Sequence, residues 1–63
     1  MNNLKEERKN LKLTQIQLAS AAGITLRAYQ NYETDMREPP VRVAILLAKV
    51  LHTTVEELFP LSD

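Results

Sequence analysis

The sequence predicts an all-α fold of five short helices in a single domain, residues 1–63. Apolar residues recur at the three- and four-residue spacing of helices. Two threonines, Thr14 and Thr54, each stand three residues before a Gln or Glu, a pattern typical of helix starts. The only glycine, Gly23, and the Pro39-Pro40 pair fall between the periodic segments, where they would end one helix or precede another.

The first helix is expected to begin at a cap formed by Asn2 or Asn3 and to run to about Leu11. Its narrow apolar stripe consists of Leu4 and Leu11. Because Arg8 lies on the same stripe, its stem should be partly buried and its guanidinium should need an acidic partner from elsewhere in the fold.

Helices two and three are predicted on either side of Gly23. Thr14 and Gln17 form a capping box for the second helix, and Thr25 caps the third. On the third helix Tyr29 and Tyr32 should face inward. The opposite, mostly polar stripe comprises Leu26, Arg27, Gln30, Asn31 and Thr34.

Residues 35–40 are predicted to form a loop, after which helix four runs to Leu51. Thr54 and Glu57 predict a second capping box, which starts a short fifth helix ending near Pro60. Helix four carries two apolar faces, each of which needs a partner. The face expected in the core is Val41, Ala44, Ile45, Ala48 and Leu51, and the second face is Val43, Leu46 and Val50.

Composition argues against several classes of function. With no cysteine and a single histidine, His52, the chain cannot assemble a zinc site. The serines Ser20 and Ser62 lie far from His52 in sequence, so no catalytic constellation is apparent. The longest apolar run, residues 43–48, is too short to cross a bilayer. We expect a cytoplasmic protein that is not an enzyme, with no cofactor, metal or small-molecule ligand.

Charge is unevenly distributed although it cancels overall. Residues 1–27 carry a net charge of +3, and residues 50–63 carry −3 from Glu56, Glu57 and Asp63. Such an arrangement would let one end of the domain face phosphates while the other is turned away.

Residues 15–34 carry the pattern of two helices that meet steeply across a tight turn. The small Ala19 allows the helix axes to approach, and Gly23, four residues later, makes the turn. The inward set is completed by Leu18, Ala22, Ile24, Tyr29 and Tyr32.

With these residues in place, the chain resembles the Cro/C1-type helix-turn-helix family, also called the XRE family, over residues 4–59. The matching parts are Leu4 and Arg8, then TQIQLASAAGIT, YQNYE, Pro39, LLAKVL and TTVEELF. The resemblance implies a lambda-repressor-like DNA-binding domain with its helix-turn-helix motif at residues 15–34. It also supplies the partner of Arg8, namely Glu33 at the end of the third helix. The chain departs from the family at Lys12, Asp35 and His52, where glycine is common, and at Tyr29, which replaces an aliphatic residue.

The resemblance predicts sequence-specific binding to double-stranded DNA by a small transcriptional repressor, with residues 25–34 as the recognition helix in the major groove. Arg27 is expected to bond guanine, Asn31 or Gln30 an adenine edge, and Leu26 a thymine methyl group. The predicted phosphate contacts are Gln15 and Thr25 at the helix starts and, as auxiliary contacts, Lys12 and Arg37.

One such module covers few base pairs, so a homodimer through helices four and five is expected. The apolar residues assigned to that contact are Val43, Leu46, Val50, Val55, Phe59 and Leu61. Alternatively, helix five covers this stripe. The competing function is a protein-interaction module, such as an antitoxin-like or anti-regulatory partner-binding protein, because fold alone does not determine function.

Overall fold

The computed structural model describes residues 1–61, so Ser62 and Asp63 lie outside the described part. Five helices follow one another, and residues 1–61 contain no strand. The helices are α1 (Leu4–Asn10), α2 (Gln15–Ala21), α3 (Leu26–Glu33), α4 (Val41–Val50) and α5 (Val55–Leu58). The predicted all-α, five-helix fold is confirmed.

Local hydrogen bonds set three of the helix starts. The capping box at α2 is complete, since Thr14 Oγ1 accepts from the Gln17 amide at 3.0 Å and Gln17 Oε1 accepts from the Thr14 amide at 2.8 Å. Thr25 caps α3 by accepting from the Ala28 amide. At α5 only half of the predicted box forms: Thr54 accepts from the Glu57 amide at 3.1 Å, whereas the Glu57 side chain is turned to solvent.

The start of α1 is held by both asparagines. Asn3 occupies the cap position, but Asn2 supplies the capping oxygen, which accepts from the Leu4 amide at 2.9 Å. The Asn3 backbone and side chain instead donate to the carbonyls of Leu58 and Glu57, at 2.9 and 2.8 Å. These bonds join the first helix to the last.

Within residues 1–61, four residues have a positive φ, and each follows the end of a helix. They are Gly23 at +72° and three residues with side chains, Lys12 at 59°, Asp35 at 63° and His52 at 57°. The last three are the positions at which the family resemblance places glycine. The backbone therefore keeps the left-handed turn in spite of the side chain, which adds local strain.

One hydrophobic core joins all five helices. Its fully buried large side chains are Leu4, Leu18, Tyr29, Leu47 and Leu58. Small residues, among them Ala19, Ala22, Ala44 and Ala48, fill the gaps between them. Half-buried residues packed around this cluster are Leu13, Ile24, Tyr32, Val43, Val50, Val55 and Phe59.

Three expectations about the core were wrong. Leu11 is 42% exposed, because α1 has ended by residue 10 and Leu13 contacts the core instead. On α4, Val41 and Ile45 are 77% and 44% exposed. Ala44, Ala48 and Leu51 of the predicted core face are buried as expected. Leu47, which belonged to neither predicted stripe, is also fully buried, so the helix is rotated somewhat from the expected orientation and Val43 and Val50 lie against the core.

Within residues 1–61, none of the helices is long and apolar enough to span a membrane.

Candidate nucleic-acid interface

The corner between α2 and α3 fixes the direction of the third helix. The Gly23 amide donates to the Ser20 carbonyl at 3.1 Å, and the Ile24 amide donates to the Ala19 carbonyl at 3.0 Å. With Gly23 at φ +72°, these bonds end α2 and turn the chain so that Thr25 can cap α3. Ala19 is only 2% exposed, which allows the two helices to pack closely.

A buried ion pair ties α1 to the end of α3. Arg8 Nε lies 2.9 Å from Glu33 Oε1, and the two side chains are only 10% and 5% exposed. The second guanidinium arm of Arg8 donates to the Leu13 carbonyl at 2.8 Å. The hydroxyl of Tyr29 also donates to Glu33 Oε1. The recognition helix predicted from the sequence is therefore anchored at its carboxyl end.

The cluster alters the pKa values of its members. Burial alone would raise the pKa of Glu33, but hydrogen bonds from Arg8, Tyr29 and Gln15, together with the Arg8 charge, outweigh it and lower the pKa below its usual 4.5. The hydrogen bond to Glu33 raises the pKa of Arg8, and burial raises the pKa of Tyr29. Glu33 therefore remains a carboxylate, which only accepts hydrogen bonds.

Two predicted DNA contacts, Gln15 and Gln30, are engaged within the protein. Gln15 Nε2 donates to Glu33 Oε2 at 2.8 Å, and Gln30 Nε2 donates to Gln15 Oε1 at 3.1 Å. Both residues are half-buried. Each amide nitrogen keeps one further N–H, so these side chains are held in place without being fully occupied.

Three other predicted contacts leave their side chains free on α3. Arg27 is exposed and Asn31 is half-buried, and neither side chain bonds another group in residues 1–61. Leu26, at the start of the helix, is 36% exposed. Thr25 uses its hydroxyl oxygen as the cap and still has an O–H to donate.

The predicted auxiliary contacts lie in exposed turns. Lys12 is exposed between α1 and α2, and Arg37 is exposed in the loop after α3. The backbone of that loop is tied to the helix, because the amides of Met36 and Arg37 both donate to the Asn31 carbonyl, at 2.9 and 3.2 Å. Arg37 thus has a defined backbone position and a solvent-facing side chain.

Sequence reasoning did not anticipate the hydroxyl of Tyr29 or the link between Gln15 and Gln30. Tyr29 was assigned to the core by its spacing, and its ring is indeed fully buried. The only signal in the sequence for its bond to Glu33, four residues later, is that an inward-facing tyrosine carries a hydroxyl that needs a hydrogen-bond partner. The two side-chain bonds of Gln15 reach Gln30, 15 positions further along the chain, and Glu33, 18 positions further along. No local pattern in the sequence indicates contacts at such separations.

These features define a helix-turn-helix protein. The helix-turn-helix family model matches residues 4–58, and the chain belongs to this family, of the Cro/C1 or XRE type. The family is a helix-turn-helix domain of transcription regulators and is not an enzyme class.

Relatives of the chain include transcriptional regulators and a transcriptional repressor. The HTH-type transcriptional regulators YobD and YqaE of Bacillus subtilis are 35% and 41% identical to the chain over 60 and 56 residues, or 95% and 89% of its length. The phage CTXphi transcriptional repressor RstR of Vibrio cholerae is 33% identical over 87% of the chain. The matches cover 54%, 48% and 49% of these relatives, so the chain spans about half their length.

Among solved structures, a chain of the SinR protein/SinI protein complex has a similar fold. The TM-score is 0.84, and the match covers 90% of this chain and 56% of the other at 22% sequence identity. At that level of identity the similarity shows a common fold.

Proposed function

We propose that this chain binds double-stranded DNA in a sequence-specific manner and acts as a transcriptional repressor in the cytoplasm, with α3 in the major groove. The observation that carries the proposal is the polar, unoccupied surface of α3. Arg27 and Asn31 have no intramolecular side-chain partner in residues 1–61, while a buried ion pair fixes the helix beneath them. Free donors and acceptors on a rigid helix are what base recognition requires.

The proposed division of labour follows from side-chain chemistry. Arg27 can donate two hydrogen bonds to the O6 and N7 of guanine, Asn31 can bond the N6 and N7 edge of adenine, and Leu26 can contact a thymine methyl group. Thr25, at the start of the eight-residue α3, and the spare N–H of Gln15 are assigned to phosphates. Lys12 and Arg37 add positive charge on either side of the motif.

Salt dependence combined with duplex selection tests this function. A pool of random duplexes is first enriched for those that the chain binds. The affinity for selected and for random duplexes is then measured at salt concentrations from about 50 to 200 mM, a range over which affinity that comes from phosphate contacts falls steeply. We expect a preference for selected duplexes and a steep fall with salt, about 0.9 in logarithmic slope for each phosphate neutralised. Absence of DNA affinity even at low salt would contradict the proposal and favour a protein-interaction role.

We further propose that the chain binds as a homodimer through α4 and α5. The apolar surface that supports this differs from the predicted one, because Val41 and Ile45, which were assigned to the core, are exposed. They line one side of a groove of about 200 Å³ between the two helices, and the half-buried Val55 and Phe59, which also pack against the core, line the other side. An apolar surface of this kind fits a two-fold contact, which would place two α3 helices on successive half-sites.

Sedimentation at micromolar concentration tests the dimer. The native chain should sediment as twice its 7.2 kDa monomer mass, and Val41→Lys should shift it toward the monomer. Met36→Lys is the matched control, since Met36 is 74% exposed and Val41 is 77% exposed, but Met36 lies outside the groove. A native chain that sediments only as a monomer, or equal effects of the two variants, would contradict this interface.

A further inference from the structure

Four side chains from three helices form a continuous line of hydrogen bonds. Arg8 on α1 bonds Glu33 on α3 at 2.9 Å, Glu33 accepts from Gln15 on α2 at 2.8 Å, and Gln15 accepts from Gln30 on α3 at 3.1 Å. The line begins at a buried ion pair and ends at a half-buried amide on the helix proposed to read DNA.

The order of donors and acceptors along this line has only one solution. The Glu33 carboxylate accepts but cannot donate, so Gln15 must turn its NH2 group toward Glu33. The Gln15 carbonyl oxygen then faces Gln30, and because it also only accepts, Gln30 must turn its own NH2 group toward Gln15. Two amides that would rotate freely in water are thus fixed in orientation.

The outer end of Gln30 is consequently its carbonyl oxygen. This oxygen accepts no hydrogen bond from residues 1–61, and no buried polar side-chain atom in that part of the chain lacks a partner. The Gln30 oxygen is therefore open to solvent. Beside it remains the second N–H of the same amide, so the group offers one acceptor and one donor.

We infer that Gln15 acts as a positioning residue that holds Gln30 with its carbonyl oxygen outward, so that Gln30 selects adenine over guanine. The inference rests on the proposed DNA-binding function. Adenine presents an N6 amino donor beside the N7 acceptor, which matches an outward oxygen and its neighbouring N–H. Guanine presents two acceptors, O6 and N7, and its O6 would face the Gln30 oxygen without a proton between them. A freely rotating amide could turn its NH2 outward and lose this discrimination.

The experiment compares Gln15→Met, Gln30→Met and the double variant on selected duplexes. Methionine keeps the unbranched shape of glutamine without its donors and strong acceptor. The native chain should prefer adenine over guanine by about tenfold at the base pair that Gln30 reads. That base pair is identified as the one at which Gln30→Met loses this preference. We expect Gln15→Met to lose most of the same preference at the same base pair, and the double variant to lose no more than Gln30→Met alone.

Gln17→Met is the matched control. It removes the Gln17 side chain, which belongs to the α2 capping box and lies in the same first turn as Gln15, but leaves the line from Glu33 to Gln30 intact. It should keep the preference even if it lowers stability. Without DNA, the side-chain amide resonances of Gln30 should move toward those of free glutamine in Gln15→Met and stay in place in Gln17→Met.

Three results would overturn the inference. If Gln15→Met weakens binding to every duplex equally and keeps the adenine preference, Gln15 contacts phosphate only, and the proposed function stands. If the Gln30 amide resonances do not respond to Gln15→Met, the positioning is wrong. If the native chain shows no preference among duplexes at all, the proposed function fails and the inference fails with it.

Discussion

Replacing Lys12 by glycine should make the protein more stable although it removes a side chain. Lys12 has φ 59°, where an L-residue with a Cβ costs roughly 1–2 kcal/mol relative to the right-handed region. Glycine avoids this cost but loses about 0.5–1 kcal/mol more conformational entropy on folding. The difference predicts a gain of about 0.5–1 kcal/mol in the free energy of unfolding, or roughly 4 °C in Tm for a domain of this size.

Lys9→Gly is the matched control for this prediction. Lys9 is also exposed and its replacement removes the same charge, but it lies in the last turn of α1 with a helical backbone, where glycine costs about 1 kcal/mol. Thermal unfolding followed by circular dichroism, at one fixed protein concentration, should therefore show shifts of opposite sign. If Lys12→Gly lowers Tm as Lys9→Gly does, the strain argument is wrong. His52→Gly should also stabilise, and Asp35→Gly should gain less because the Asp35 carboxylate accepts from Asn2 at 2.8 Å.

Further predictions concern the corner and the buried ion pair. Gly23→Ala should lower the free energy of unfolding by about 1 kcal/mol in urea unfolding, because an L-residue at φ +72° is strained. The added Cβ would meet nothing within 4 Å, so a much larger loss would contradict this account and indicate a steric clash instead. Glu33→Gln should cost about 3 kcal/mol or more, since it leaves Arg8 buried without its anionic partner. Because folding lowers the pKa of Glu33, its contribution is present above the ordinary value of 4.5 and is lost as pH falls through the lower folded pKa. The stability difference between native chain and Glu33→Gln, measured by urea unfolding, should therefore be constant near neutral pH and shrink in acid; a difference that grows in acid would contradict the shift.

Features set by neighbouring residues were predictable from the sequence. The caps at Thr14 and Thr25 involve partners three residues away, and the turn at Gly23 depends on its own φ. The left-handed turns at Lys12 and His52 were indicated by the family resemblance, which places glycine there. Such short-range interactions leave a recognisable pattern in the chain.

The orientation of α4 could not be predicted for a physical reason. Apolar residues surround much of this helix, so its spacing allows more than one buried face. Packing against α2 and α5 selects the face that contains Leu47 and leaves Val41 and Ile45 exposed. The choice depends on helices distant in sequence.

In the candidate site, too, features set by neighbouring residues were predictable and contacts between distant residues were not. The outward position of Arg27 follows from helical spacing, and the structure leaves its side chain exposed. The engagement of Gln15 with Glu33 and Gln30 depends on how α2 and α3 cross. Spacing along one helix carries no information on such a contact.

The orientation of α3 toward bases is tested most directly by the binding profile of Arg27→Ala on a panel of duplexes that differ from a selected one by a single base pair. We expect discrimination to be lost at one guanine-containing pair, by roughly tenfold, and kept at the others. Lys49→Ala, at an exposed residue in the last turn of α4, should change no preference. If Arg27→Ala lowers the affinity for every duplex equally, or changes the affinity for none, a base-reading role for this helix is contradicted.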